Sequence, residues 1–432
     1  MRSEIFENEF IKNIDSKTLG LVEKSLRLSR NLTIEQTANC LNISRGNLCE
    51  IENGKRNLKP DVFFKFVHRF FKDFNFGYAL VEKAEKKLDE LFNAFAYRDY
   101  EAEGEVEKWI EQNRAHLRNS LACLYLTVFE VYFYYRKPMD KEDVEKLKNA
   151  KDFIPYFSPD VRAFLLFCEG YMYQKGGDGQ RTIELYGDAL HQMDGWKWPQ
   201  LEGIIKQNLA CLTYQEVSFY EPYELICRAE ELYLQEANFL RVFNAWNNKA
   251  VYLAMTGNFK KSIVLLDKVL LNRRTFRDNL ICRQAVSNKI FVLTLSEQFM
   301  DALEFIRQEK SELNPRHPGN FILEPYCLFR LGENQKCLEA IKEYENYQLC
   351  EEDEVLYALL KAMINQNSSR IEKMKNRMYL ICSREKNWGM LAVLSLLMID
   401  HYKKSGQTEL LVDAYEQKTR IFNHQLPVIH KN

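Results

Sequence analysis

The residues best equipped for recognition chemistry crowd into one short stretch, SRGNLCEIENGKR, at 44–56. Arg45 offers a planar fork of donors, Asn47 a donor and an acceptor on one amide, and Glu50 a pure acceptor. Lys55 and Arg56 follow as adjacent positive charges. This set can hydrogen-bond polar edges and neutralise an anion, but it offers no nucleophile–base pair and no cluster of metal ligands. The rest of the chain supplies none either. No H-E-x-x-H, Walker lysine loop, G-x-G-x-x-G or G-x-S-x-G occurs. The seven histidines are isolated, and His116, His191 and His401 read as surface or half-buried helix residues. QKGGDGQ (174–180) is Gly-rich but lies between helical segments, so it reads as a turn. No enzyme activity, metal or cofactor is expected.

The elements that must position Arg45 and Asn47 are legible around them. LGLVEKSLRLSRN (19–31) has apolar residues at 19, 22, 26 and 28, an amphipathic helix pattern. Thr33 with Gln36 makes a capping box for a second short helix, whose buried side carries Ala38 and Leu41. Asn42 sits at a sharp turn, where Asn tolerates the left-handed conformation. Ser44 caps a third helix, Leu48 and Ile51 anchor it, and Gly54 ends it. KPD (59–61) breaks the chain before VFFKFVHRFF, whose aromatic stripe closes a core. Two short helices joined by a three-residue turn form a helix-turn-helix.

The span 15–72 resembles the Cro/phage-repressor type. Ala38, Ile43-Ser44 at the turn and the closing IENGKR (51–56) carry the likeness. The resemblance implies that Arg27 of the first helix pairs with Glu52 of the closing motif. Departures are Ile34 for the usual Gln, Asn42 for the usual Gly, and Thr37 for an aliphatic residue. A helix so placed enters the major groove with its N-terminal residues facing base edges. Arg45 then suits guanine, Asn47 base or phosphate, and Glu50 a cytosine amino group or simply solvent. Lys55 and Arg56, past the helix end, suit phosphates. With the capping residues Thr33 and Ser44 they make up the expected DNA-binding set. Between residues 15 and 73 eleven Lys/Arg stand against seven Asp/Glu, a local excess of four positive charges in a chain whose net charge is −1. That asymmetry fits an anionic ligand at one end only.

Beyond Gly77 the sequence turns helix-forming throughout, and it repeats. GDGQRTIELYGDAL (177–190), GNFKKSIVLLDKVL (257–270), EQFMDALEFIRQEK (297–310) and GENQKCLEAIKEYE (332–345) superpose without gaps. Each begins at a turn and has a small residue five later: Thr182, Ser262, Ala302 and Cys337. VSFYEPYELICRAE (217–230) completes steps of 40, 40, 40 and 35, with weaker echoes at 98–109 and 406–417. These segments resemble tetratricopeptide repeats, with armadillo-like pairs as the alternative. Trp246, Ala250, Gly257, Phe259 and Ser262 carry the tetratricopeptide likeness. The expected fold class is therefore all-α: a helix-turn-helix domain followed by an α-solenoid of tetratricopeptide-like helix pairs. The expected boundaries are an extension at 1–14, the DNA-binding domain at 15–75, a linker at 76–84, and the repeat, peptide-binding and dimerisation domain at 85–432.

Asn208, Asn248 and Asn288 each lie nine residues before successive turns. Equivalent repeat positions place them in a row, where their amides can clamp the backbone of an extended peptide or can bond between helices. Gln207, Asn244, Asn247 and Gln284 make the row more polar still and complete the expected peptide-binding set.

The eleven cysteines are scattered, without C-x-x-C, as reduced thiols in the cytosol would be. Met1 to Phe10 is too charged for a signal peptide, and LAVLSLLMI (391–399) is too short to span a bilayer. A cytoplasmic protein without a membrane partner is expected. A Cro-type module followed by such repeats resembles the peptide-pheromone-responsive regulators of Gram-positive bacteria and their phages, the Rgg, PlcR, NprR and arbitrium-receptor types. The resemblance implies a homodimeric transcription regulator that reads an inverted-repeat operator in double-stranded DNA. It further implies control by a short signalling oligopeptide in the repeat groove, as in quorum sensing. The alternative is a repeat scaffold that binds a protein partner, with the helix-turn-helix locating it on DNA; a third is a regulator acting on another enzyme.

Overall fold

The computed structural model describes residues 16–135, 153, 156–193, 197–216, 220–274, 279–312, 321–347 and 349–423. The fold is all-α, as expected; among the described residues the only strand-like pairing is an isolated bridge between Asn75 and Ser120. The chain divides into two compact units, Met1–Ile205 and Lys206–Asn432.

The first unit opens with the four helices anticipated from the caps: α1 (Ser16–Ser29), α2 (Ile34–Leu41), α3 (Arg45–Glu52) and α4 (Pro60–Phe70). The Thr33 hydroxyl accepts from the Gln36 N–H at 3.1 Å, and the Gln36 side chain accepts from the Thr33 N–H at 2.8 Å. Each such cap is worth about 1 kcal/mol. Asn42 turns the chain in the left-handed region (φ 54°), and the Ser44 hydroxyl accepts from Asn47 N–H to start α3. Leu19, Val22, Leu26, Leu48, Phe63 and Phe66 close the core, each almost fully buried and worth about 1.5–3 kcal/mol. Gly20 lets α1 lie directly on α3, since a Cβ there would sit 2.7 Å from the Ile51 carbonyl oxygen.

Three further pieces complete the described part of this unit: α5 (Ala79–Tyr97) pairs with α6 (Tyr100–Arg118), α7 (Cys123–Tyr135) follows, and α8 (Pro159–Lys175) pairs with α9 (Gly179–Gln192). Helix α1 packs on α7 as well as on α3 and α4, and Asn75 N–H donates to the Asn119 carbonyl at 2.8 Å. The α1–α4 bundle is thus docked on the helices that follow it rather than held apart from them.

The second unit is built from consecutive helix pairs. After α10 (Pro199–Glu216), which begins in the first unit and ends in the second, and α11 (Tyr220–Gln235), they are α12 (Phe239–Met255) with α13 (Phe259–Leu271), and α14 (Asn279–Leu295) with α15 (Phe299–Glu312). The short α16 (Glu324–Arg330) with α17 (Asn334–Tyr344), α18 (Glu351–Ile364) with α19 (Ser368–Arg384), and α20 (Trp388–Ser405) with α21 (Thr408–Phe422) complete the series. The turns inside the pairs fall where the repeats begin in sequence: Gly257, Glu297, Gly332 and Gly406 all have positive φ. The small residues five positions on, Ser262, Ala302 and Cys337, are completely buried against the preceding helix, and Ser262 Oγ donates to the Ala250 carbonyl at 2.6 Å.

Candidate functional site

The α1–α4 bundle is braced by a buried ion pair. Arg27 Nε and Nη2 meet the two Glu52 carboxylate oxygens at 2.6 and 2.8 Å, and Nη1 donates to the Leu32 carbonyl at 2.8 Å. Both side chains are nearly inaccessible, so this parallel fork fixes α1 against the end of α3. Beside it lies a residue that sequence reading passed over. Glu23 is fully buried, and its carboxyl is held well above the ordinary range, first by burial and then by the neighbouring Glu52 charge, against the pull of Arg27. Burial and the Glu52 charge thus both favour the protonated form of Glu23, beside the Arg27–Glu52 pair.

The opposite side of α3 faces water. Arg45 is exposed at its first turn and Lys55 is exposed beyond its end. Thr33 and Ser44 are occupied as caps. Arg56 departs from its expected place. After Gly54 (φ 68°) the chain doubles back, and the backbone N–H groups of Lys55 and Arg56 both donate to the Glu50 carbonyl, at 2.8 and 3.2 Å. The Arg56 side chain then lies along the helix: Nε reaches a Glu50 carboxylate oxygen at 2.5 Å and Nη1 the Asn47 amide oxygen at 3.3 Å. Asn47, Glu50 and Arg56 form one cluster on the exposed face.

The polar row of the second unit is less uniform. Gln207 is buried and accepts from the Tyr233 hydroxyl at 2.9 Å. Asn247 is buried too; its amide donates to the Ile281 carbonyl at 3.0 Å and accepts from Asn288 at 3.4 Å. Asn248 donates to Cys211 Sγ at 3.4 Å. Asn208 and Asn244 are half-buried and Gln284 is exposed. So Asn248 and Asn288 each reach back to the first helix of the pair before, and the contacts that tie neighbouring pairs together run through the row itself.

A cavity of about 640 Å³ opens beside this row. Tyr214, Val251, Asn288 and Phe291 line it from α10, α12 and α14, while Glu352, Arg384 and Trp388 face them from α18, α19 and α20. Asn288 is its sole member of the expected peptide-binding set. Phe291 lies so close to Gly389 that a Cβ there would be 3.0 Å from the ring. Glu352 accepts from the Asn387 amide at 2.9 Å, and burial raises its carboxyl above the usual range. A cavity of this size suits a small ligand or a few residues of a peptide. Sequence reading had no means to find the far wall, because α18 to α20 meet α14 only after the chain has folded.

No family model matches the chain, and no curated protein matches it. Among solved structures it is similar to the apo form of RapI, at 12% identity over 78% of this chain and 97% of that one, with a TM-score of 0.59. It is also similar to a Rap protein complexed with competence and sporulation factor (14% identity, 79% and 98% covered, TM-score 0.60). A third is the apo form of the quorum sensor NprR from B. thuringiensis (14% identity, 80% and 100% covered, TM-score 0.58). At such identities the likeness is one of fold, and it places the chain among helical-repeat proteins.

Proposed function

We propose that this protein is a cytoplasmic DNA-binding transcription regulator whose operator binding is controlled by a short signalling peptide held in its repeats. One observation carries the reading: a single chain joins a helix-turn-helix with an outward polar face on α3 to a repeat fold like that of a named quorum sensor. A similar fold, NprR solved in complex with its cognate peptide NprX (14% identity, TM-score 0.50), supports a peptide as the ligand class. On this reading residues 15–75 form the Cro-type DNA-binding module and 85–432 the peptide-binding and dimerising part; the stretch expected as a linker, 76–84, is helical from Ala79 on. A homodimer sets two α3 helices on half-sites about 34 Å, or a multiple of that, apart.

A second reading has its own support. Gln207 and Asn247 are consumed inside the repeats, which thins the ladder available to an extended peptide and suits a scaffold for a protein partner. Two measurements follow: the first tests the DNA binding that both readings share, and the second separates them. Selection from randomised duplexes with the full chain, followed by footprinting, is expected to yield an inverted repeat. Mass spectrometry of small molecules released from the protein isolated from its own host is expected to yield a peptide of about 5–10 residues. A co-purifying protein with no released peptide would establish the scaffold instead.

A further inference from the structure

The doubled-back chain after α3 gives Arg56 a role different from that of Lys55 beside it. An arginine that merely neutralises phosphate stands off the helix end, free to follow the backbone. Arg56 instead runs back toward the start of α3, fixed at two points: its Nε at Glu50, and its Nη1 at Asn47, three residues nearer the N-terminus. Asn47 is in the first turn of α3, among the N-terminal residues that face base edges when such a helix lies in a major groove. Both anchors are acceptors and both lie on the same face of α3. A guanidinium has five N–H donors. The Glu50 and Asn47 bonds use one each, and the remaining three include both hydrogens of Nη2. Bidentate recognition of guanine O6 and N7 needs two. A carboxylate that holds Nε also fixes the plane of the fork before any base arrives, which lowers the ordering cost of binding.

We propose that Arg56 reads a guanine in each half-site, with Glu50 as the positioning residue that aims it, so that two guanine-reading arginines are presented, Arg45 at the start of α3 and Arg56 just past its end. The proposal rests on the DNA-binding reading above and deepens it, since it also withdraws the cytosine contact from Glu50.

The test uses the full chain on the duplex it selects and on that duplex with each half-site position changed in turn. Arg56→Lys keeps the charge and loses the fork, and is expected to lose about tenfold or more of the discrimination at one guanine per half-site. Glu50→Gln is expected to lose part of the discrimination at that same position, with the salt dependence of binding unchanged. Both sites are solvent-exposed, and melting curves matching the parent confirm that the variants fold. If Arg56→Lys leaves every sequence preference intact, and Arg56→Ala weakens all duplexes alike while reducing the salt slope by about one, Arg56 is a phosphate contact and the proposal is overturned. If Glu50→Gln instead alters a different base pair, Glu50 reads bases on its own account and the positioning role is overturned. A parent protein that selects no sequence at all overturns the DNA-binding reading, and this inference with it.

Discussion

The α1–α4 bundle and the repeats treat polar side chains in opposite ways. In the first, the buried polar group (Arg27 and Glu23 on α1, Glu52 on α3) and the outward group (Arg45, Asn47 and Glu50 on α3, Arg56 just past it) lie on opposite sides of the α1–α3 contact. One set can change without the other. In the repeats a single row serves both purposes: Asn247 is sealed between α12 and α14, while Asn248, next to it, reaches Cys211 on α10 from the open side. A compact module with one core separates stability from recognition by helix periodicity alone. A repeat array cannot, because each first helix must also bind its neighbours.

The largest expected effect breaks the first half of this contrast. Glu52→Gln leaves Arg27 buried without its charge partner, at a cost on the order of 3 kcal/mol. Hydrogen exchange of the α1–α4 amides in the full chain measures it, and protection equal to the parent would show that the fork contributes nothing. Next comes Asn247→Ala, which removes the side-chain bonds to the Ile281 carbonyl and the Asn288 amide and is expected to destabilise the second unit by about 1–3 kcal/mol. Asn248→Ala sharpens the comparison, with a stability loss below about 1 kcal/mol but loss of the response to peptide. Equal destabilisation by the two would mean that the row is packing throughout. Arg45→Ala is expected to cost roughly 1–3 kcal/mol on the selected operator and little on unrelated duplexes, with the fold untouched.

The smallest effect concerns Glu23. Its folded carboxyl holds a proton to higher pH than the unfolded one. The stability this adds is complete below the ordinary carboxylate range and is lost as pH rises through the raised folded value. Glu23→Gln is expected to flatten that part of the stability–pH profile, with Lys24, Arg27 and Glu52 as the charges around it. A profile unchanged by the substitution would place the proton elsewhere.

What was legible in the sequence follows the range of the interaction responsible. Thr33, Gln36, Asn42, Ser44 and Gly54 act within four or five residues of themselves, so caps, turns and helix ends could be read directly. The Arg27–Glu52 pair spans 25 residues and was reached only through the family resemblance. Glu23 and Gly20 carried no local signal, because burial beside Glu52 and close approach to Ile51 exist only once α1 and α3 have met. In the repeats, Gly257 and Gly332 announced their turns. The pair α18–α19 escaped notice because its turn is made by Gln366, which adopts φ 54° without a glycine to mark it. Position in a repeat predicted which helix each Asn would occupy, but not whether a neighbouring carbonyl would claim its amide.

The central claim is that ligand held by the second kind of surface governs reading by the first. Its most direct test is a titration of the selected inverted-repeat duplex with the full chain, before and after adding back the peptide released from the host-purified protein. The account predicts that the peptide changes operator affinity at least about fivefold, in either direction, and leaves unrelated duplexes much less affected. An operator affinity that stays the same at saturating peptide would contradict it.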